Sequence, residues 1–280
     1  MRENRQAMRG YNDKTKIREH YDAVSPYYRA LWGEHLHHGY WIRGDETKEQ
    51  AQIQLVEHLA RAAGVRPGAK ILDVGCGFGG SSIYLARKYR AETTGITISP
   101  VQVEMAATAA TLAHVHAKFL PMDAERMRFQ PSSFDVVWSL ESISHYEDKR
   151  KFFVSAAKLL KPQGTLAVTD WFKKEGLDGR AYRKFLLPIE RGMLVALDTM
   201  KEYASLVEVS GLEVVRREIL NERCAKTWDL CLDIIRKKEF WTLAARLGPE
   251  FVHFLKAFRA MKRGFASGNF VYGMLIAKRA

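Results

Sequence analysis

The chain has 280 residues, 47% hydrophobic and 27% charged, a globular composition that can bury a core without disulfide help. Three scattered cysteines (Cys76, Cys224, Cys231) exclude a disulfide framework. With no apolar run of about 18 residues and no signal-peptide core in residues 1–6, they point to a cytoplasmic protein without a membrane span. The net charge of +12 fits a nucleic-acid partner, an anionic membrane surface, an acidic substrate, or simply a solvated basic surface.

Residues 14–32 carry Ile17, Tyr21, Val24, Tyr27, Tyr28, Leu31 and Trp32 at helical spacing, and Pro26 predicts a break into two helices. Residues 33–41 are dense in histidine and aromatic side chains. His35, His37, His38 and Glu34 could hold a metal, but His37 and His38 are adjacent and no further ligand set follows, so an aromatic pocket lining is preferred. An amphipathic helix over 47–63 ends at the Pro67-Gly68 turn.

Strands are then expected at 71–74, 92–98, 118–121, 134–139 and 164–170. Helices separate them, notably at 101–113 and 149–160, and this alternation signals parallel β-α units. Beyond Trp171 the alternation gives way to a helical stretch over 180–204, a sixth strand at 212–219, a helical insertion over 224–262 and a last strand at 269–277. The insertion carries Phe240, Trp241, Leu243, Leu247, Phe251, Phe254, Leu255 and Phe258 around Gly248-Pro249. This stripe reads as a packed face before a ligand box, though as a lid it would favour a greasy acceptor. Lys256, Arg259, Lys262 and Arg263 border it and would let it graze a membrane surface.

The chemistry centres on residues 71–82. A buried strand runs into four glycines that free the backbone to turn, and a helix opens with its N–H groups facing the same space. Gly75, Gly77 and Gly80 satisfy the dinucleotide spacing G-x-G-x-x-G. That motif also wants an acidic residue about 20 positions on, and residues 92–99 place none at the end of the second strand.

With Asp73 before it, the run Asp73-Val74-Gly75-Cys76-Gly77-Phe78-Gly79-Gly80 resembles the first motif of class I S-adenosylmethionine-dependent methyltransferases. Residues 95–102 resemble the second-strand motif of a subgroup that includes γ-tocopherol methyltransferases, and residues 32–41 resemble that subgroup's N-terminal region. The loop after strand four, residues 140–149, resembles the subgroup's loop, but Ile143-Ser144-His145-Tyr146-Glu147-Asp148-Lys149 stands where Glu-His-Met-Pro-Asp-Lys is usual.

The resemblance implies an α/β, Rossmann-like class I methyltransferase fold with a seven-stranded mixed sheet, N-terminal helices and a helical lid insertion. It divides the chain into an N-terminal cap (1–66), a cofactor-binding core (67–175) and the rest of the sheet with a lid at about 224–264 (176–280). It implies S-adenosyl-L-methionine as cofactor, held by Asp73, Gly75, Cys76, Gly77, Gly79, Thr97, Ile98, Gln102, Asp123, Ala124 and Glu141, with Tyr21 closing over it. No metal is implied. The acceptor would be a hydrophobic or aromatic small molecule methylated at carbon, oxygen or nitrogen. His145 is the first candidate base and Glu141 the second; packing or helix capping is the competing role for His145. A nucleic-acid-directed enzyme is the alternative, but the basic residues are dispersed and no RNA-binding module is present.

Overall fold

The computed structural model describes residues 12–248 and 250–280. Residues 1–6, read above for a signal, lie outside the described residues, as do Pro249 and the side chain of Leu247.

Strands β1 (Lys70–Val74), β2 (Glu92–Thr97), β3 (Ala117–Pro121), β4 (Phe134–Leu140), β5 (Leu160–Lys173), β6 (Leu212–Ile219) and β7 (Phe270–Arg279) form one sheet in the order β3-β2-β1-β4-β5-β7-β6. The first five are parallel, and β7 inserts antiparallel between β5 and β6. The expected seven-stranded mixed sheet is therefore present.

Successive side chains leave a strand on opposite faces, so the apolar runs feed two cores. Ile71, Val136, Trp138, Met274 and Ile276 join one with Leu55 and Leu59 of α2 (Lys48–Ala63) and Leu85 of α3 (Gly80–Tyr89). Leu72, Val137 and Leu275 join the other with Phe152 and Phe153 of α5 (Lys149–Leu159) and Tyr203 of α7 (Met200–Glu208). Asp73 shares the face of Ile71, the side on which α3 lies. The helix α4 (Pro100–Leu112) links β2 and β3.

Four boundaries differ from expectation. Pro26 does not divide the first helix: α1 runs unbroken over Lys14–Trp32. Val24, Ser25, Leu31 and Trp32 are buried on both sides of it, and that packing offsets the ~3 kcal/mol a mid-helix proline costs. The fifth strand is longer than 164–170. Leu160 pairs with Phe134 across a register shift, which draws the Lys161–Gly164 turn into the strand, and Trp171, Phe172 and Lys173 pair with β7.

The stretch 180–204 is interrupted. A π-helical turn (Tyr182–Leu186) and α6 (Leu187–Met193) end at Leu194, whose φ of 55° is left-handed. The backbone beyond is bonded elsewhere, with Ala196 N–H donating to the Ser144 carbonyl and Leu197 N–H to the buried Glu190 carboxylate. The insertion is broken likewise, into α8 (Lys226–Asp233), α9 (Lys238–Leu247) and α10 (Glu250–Ala266).

A third, smaller core packs α1 against α9 and α10 through Val24, Leu31, Phe240, Leu243, Phe251 and Phe254. These helices roof the carboxyl ends of the strands, where open α/β sheets hold ligands.

Candidate functional site

One cavity of about 230 Å³ lies under that roof and runs from the glycine loop to the inner faces of α8, α9 and α10. Its floor begins at the end of β1. Gly75, Gly77 and Gly79 all have positive φ, and the Gly75 and Cys76 N–H groups both donate to the Ile96 carbonyl, tying the loop to β2. Two segments cross this loop at distances that exclude a side chain. A Cβ on Gly75 would lie 1.9 Å from Ser142 Oγ, and one on Gly80 would lie 2.4 Å from the Glu34 carbonyl oxygen. Gly75, Cys76, Gly77 and Gly80 line the cavity. Gly79 instead caps α3 and faces Phe119 and Ala106, so it shapes the loop from beneath.

Asp73 is 2% exposed and lines the cavity. Ser82 Oγ–H donates to its Oδ2 at 2.6 Å. Burial pushes its pKa up to about 6, against the lowering effect of the Ser82 hydrogen bonds.

The end near β2 and β3 carries Thr97, Ile98, Gln102, Asp123 and Ala124, all in the cavity wall. Thr97 Oγ1–H donates to Gln102 Oε1 (2.7 Å), and the Gln102 amide donates to Ser25 of α1 (3.1 Å). Asp123 is more committed than the sequence implied. Its Oδ1 caps the Glu125 N–H and its Oδ2 pairs with Lys14 at 2.8 Å, while Lys14 also reaches Glu125 at 3.1 Å. With Ser99 Oγ–H donating to Asp22 (2.5 Å) and the Asn12 amide donating to the Tyr146 carbonyl (3.0 Å), α1 is fastened across this end by polar contacts.

At the other end Glu141, with a left-handed φ of 55°, turns its carboxylate into an aromatic compartment. Its Oε1 accepts from the His38 N–H (2.7 Å), from His38 Nδ1–H (2.9 Å) and from the Tyr272 hydroxyl (2.7 Å). Burial alone would raise its pKa, but the His38 contacts more than offset that and hold it below the ordinary value. Among the described residues no protein group donates to Oε2. His38 Nε2 and the indole N–H groups of Trp171 and Trp228 are likewise buried without partners, and all three residues line the cavity. Beyond them lie Tyr28, Leu31, Phe240, Leu243, Phe254 and Phe258. Phe240, Leu243, Phe251 and Phe254 of the aromatic stripe thus pack as expected, and all but Phe251 also face the cavity, whereas Trp241 departs from the expected packed face and is 56% exposed.

His145 and Tyr21 meet between the two ends. His145 Nδ1–H donates to the Leu194 carbonyl (3.0 Å), which leaves Nε2 to accept the Tyr21 hydroxyl (2.9 Å). Burial lowers the His145 pKa to about 4, so the ring is neutral at working pH. The histidines of residues 35–38 are engaged with one another and with Glu141: His37 Nδ1–H donates to the His38 carbonyl, and the His35 and His37 rings share a hydrogen bond of 3.0 Å. Among the described residues no cluster is arranged to hold a metal.

Wall members that sequence reasoning did not single out include Lys14, Trp171 and Trp228. Trp171 and Trp228 carried no local motif; their place depends on the long β5 and on where α8 docks.

A family model described as a methyltransferase domain matches residues 72–168. The chain is 31% identical to the chloroplastic tocopherol O-methyltransferase of Arabidopsis thaliana, over 94% of this chain and 81% of that one. It is 40% identical to the 2-methyl-6-phytyl-1,4-hydroquinone methyltransferase of Synechocystis, over 73% of this chain and 67% of that one. Among solved structures, the mycolic acid cyclopropane synthase CmaA1 with SAH and CTAB has the same fold, with a TM-score of 0.84 at 21% identity over 95% of this chain and 98% of that one.

Proposed function

The chain belongs to the class I S-adenosylmethionine-dependent methyltransferases, and on that premise we propose that Glu141 receives the proton of a hydroxyl-bearing apolar acceptor while the glycine loop holds the cofactor. The enzyme transfers a methyl group to a hydrophobic or aromatic small molecule, and its cofactor is S-adenosyl-L-methionine. The observation that carries the residue assignment is the single cavity joining the glycine loop to a buried, ionised carboxylate among aromatic rings.

The donor set fits the cofactor. A buried carboxylate at the loop suits its cationic portion, hydroxyl and amide groups follow at the end of β2, and no acid stands there as a pyridine dinucleotide would want. When bound, the cofactor supplies a methyl group already activated by its sulfonium. The chain's own task is placement and proton handling. In this reading Asp73 and the loop N–H groups fix one end, Gln102 and Thr97 the ribose, and Asp123 with the Ala124 N–H the adenine.

The aromatic compartment would exclude water and hold the acceptor's apolar body, and such positioning can supply ~7–11 kcal/mol of the barrier. Glu141 Oε2 would take the acceptor proton, with Oε1 pinned by His38 and Tyr272 so that the carboxylate needs no reorganisation. His145, neutral and bonded on both nitrogens, acts in this account by positioning Tyr21 over the cofactor. Replacing His145 with glutamine should therefore lower kcat by no more than about tenfold, against the 10²–10⁴ expected of a lost base. The rate of methyl transfer in the purified variant checks this.

Asp73 makes cofactor binding pH-dependent. Its carboxyl, with a pKa of about 6, is mostly protonated at pH 5 and ionised at pH 7, and a bound cation favours the ionised form. Affinity should rise by up to about tenfold per pH unit below 6 and level off above it. The same carboxyl makes the opposite contribution to the stability of the unliganded protein. Its folded pKa lies above the ordinary aspartate value of 3.8, so that stability is full below about 3.8 and is lost as pH rises through about 6. Calorimetric titrations at pH 5, 6, 7 and 8 read the first effect, and melting curves over the same series read the second.

The reading as a whole is tested by incubating the enzyme and methyl-labelled cofactor with a panel of phenols, hydroquinones and aliphatic alcohols carrying apolar tails. The expected result is a one-methyl mass shift in a hydroxyl-bearing member; label in N-nucleophiles alone would discard the role given to Glu141. The buried, unpaired thiols of Cys76, Cys224 and Cys231 support a reducing compartment, and a cytoplasmic location is part of the proposal. Among the described residues no helix is long and apolar enough to cross a membrane.

A further inference from the structure

The outer face of the lid carries exposed cations and apolar side chains that methyl transfer does not employ. Val252, Lys256, Arg259 and Arg263 are spaced four, three and four residues apart on α10, so they form one stripe along the helix, and all four are exposed. The opposite face of α10 is spent inward, with Phe254 and Phe258 lining the acceptor compartment and Met261 in the core. Lys262 is paired with Asp229 at 2.6 Å, whereas Lys256, Arg259 and Arg263 have no ion pair among the described residues.

At the Val252 end stands Trp241, 56% exposed, its ring 6.3 Å from that of Phe251, which immediately precedes Val252 (50% exposed) in the chain. Near the other end, Gly264 packs close to Phe185 of the π-helical turn, whose Arg183 and Lys184 are exposed as well. Residues 226–263 hold nine Lys or Arg and four Asp or Glu, a disproportionate share of the chain's positive charge.

We propose that this face of α9 and α10 docks on an anionic lipid bilayer, with Trp241 and Val252 entering the headgroup region and Lys256, Arg259 and Arg263 pairing with lipid phosphates. An exposed tryptophan and valine next to a run of unpaired cations match the interfacial combination of apolar insertion and electrostatic attraction. A nucleic acid would use the cations and leave the valine in water. The docked face is the back of the wall that encloses the acceptor, so a greasy acceptor would pass from bilayer to cavity through the lid. That last step rests on the proposed function; the docking does not.

The test is sedimentation of the full-length protein, without cofactor or acceptor, on vesicles of phosphatidylcholine alone and of phosphatidylcholine with about one-third phosphatidylglycerol. Partition onto the anionic vesicles alone is expected, with release in high salt as the charges are screened. The triple variant Lys256→Glu, Arg259→Glu, Arg263→Glu should lose at least about a hundredfold in partition, at roughly fivefold for each cation removed before the repulsion of the added carboxylates. The variant Trp241→Ser, Val252→Ser should lose a smaller factor that salt does not change.

Both variants should bind S-adenosylmethionine as the parent does, which verifies their fold. Equal partition onto neutral vesicles, no partition, insensitivity to the charge reversals, or tighter binding to a single-stranded RNA than to anionic vesicles would each overturn the docking. None of these results touches the assignment of Glu141, because no turnover is measured.

Discussion

Replacing Gly75 with alanine should reduce cofactor affinity by more than a hundredfold and leave the fold in place. Two costs combine. Gly75 has a φ of 80°, a region that costs a residue with a Cβ ~1–2 kcal/mol. The added methyl would also stand 1.9 Å from Ser142 Oγ and 2.4 Å from Ser142 Cβ. Ser142 cannot simply swing aside, because its hydroxyl is bonded to the Tyr146 hydroxyl at 2.6 Å and Tyr146 packs on Phe152. The loop after β4 or the glycine loop must therefore move, and both line the cavity. A loss of ~3 kcal/mol in binding corresponds to more than a hundredfold in Kd. Calorimetry measures that loss, and circular dichroism confirms the fold. Adding Ser142→Gly removes the clash and keeps the backbone strain, so the double variant should recover part of the affinity. A single variant that binds the cofactor normally would mean the loop is no cradle.

The second large effect is expected at Glu141. The substitution Glu141→Gln keeps the size and one carbonyl oxygen for His38 and Tyr272 but removes the charge. It should lower kcat by 10²–10⁴ while cofactor affinity stays within about threefold. A merely structural Glu141 would give another pattern, with lowered melting temperature and a shared loss in kcat and cofactor binding. The group is held ionised below the ordinary value of 4.5, so its own contribution to kcat should stay flat from pH 5 upward and fall only under about pH 4.5. Tyr272→Phe removes one of the three donors to Oε1 and should move that acid limb to higher pH, because a less stabilised carboxylate gains its proton sooner. A positioning contact would show this shift, and simple loss of packing would not.

Much of the sheet was legible because strand periodicity and turn residues are local signals. Ile71 and Leu72, or Met274 and Leu275, announce two faces wherever they are read. Boundaries failed where tertiary contacts outweigh local preference. Pro26 stays inside a helix because buried neighbours hold it there, and the 180–204 stretch breaks at Leu194 because Ser144 and Glu190 capture the backbone beyond.

The glycine loop could be recognised from its spacing, but spacing could not separate Gly80, which faces the cavity, from Gly79, which faces Phe119. Nor could it reveal that Lys14 occupies one oxygen of Asp123 from 109 positions away, or that His38 fixes Glu141 from 103 positions away. The subgroup resemblance in residues 32–41 located the histidine-rich segment without saying which ring does what. The topology supplied that, by laying the segment over α3 and against the end of β4.

The account depends on the strand-end cavity being built for a sulfonium nucleoside. Titration of the unmodified protein with S-adenosylmethionine, beside a parallel titration with a pyridine dinucleotide, tests it most directly. One site per chain that saturates with S-adenosylmethionine and gives no heat with the dinucleotide is the expected result. No binding of S-adenosylmethionine at millimolar concentration, or a preference for the dinucleotide, would contradict it.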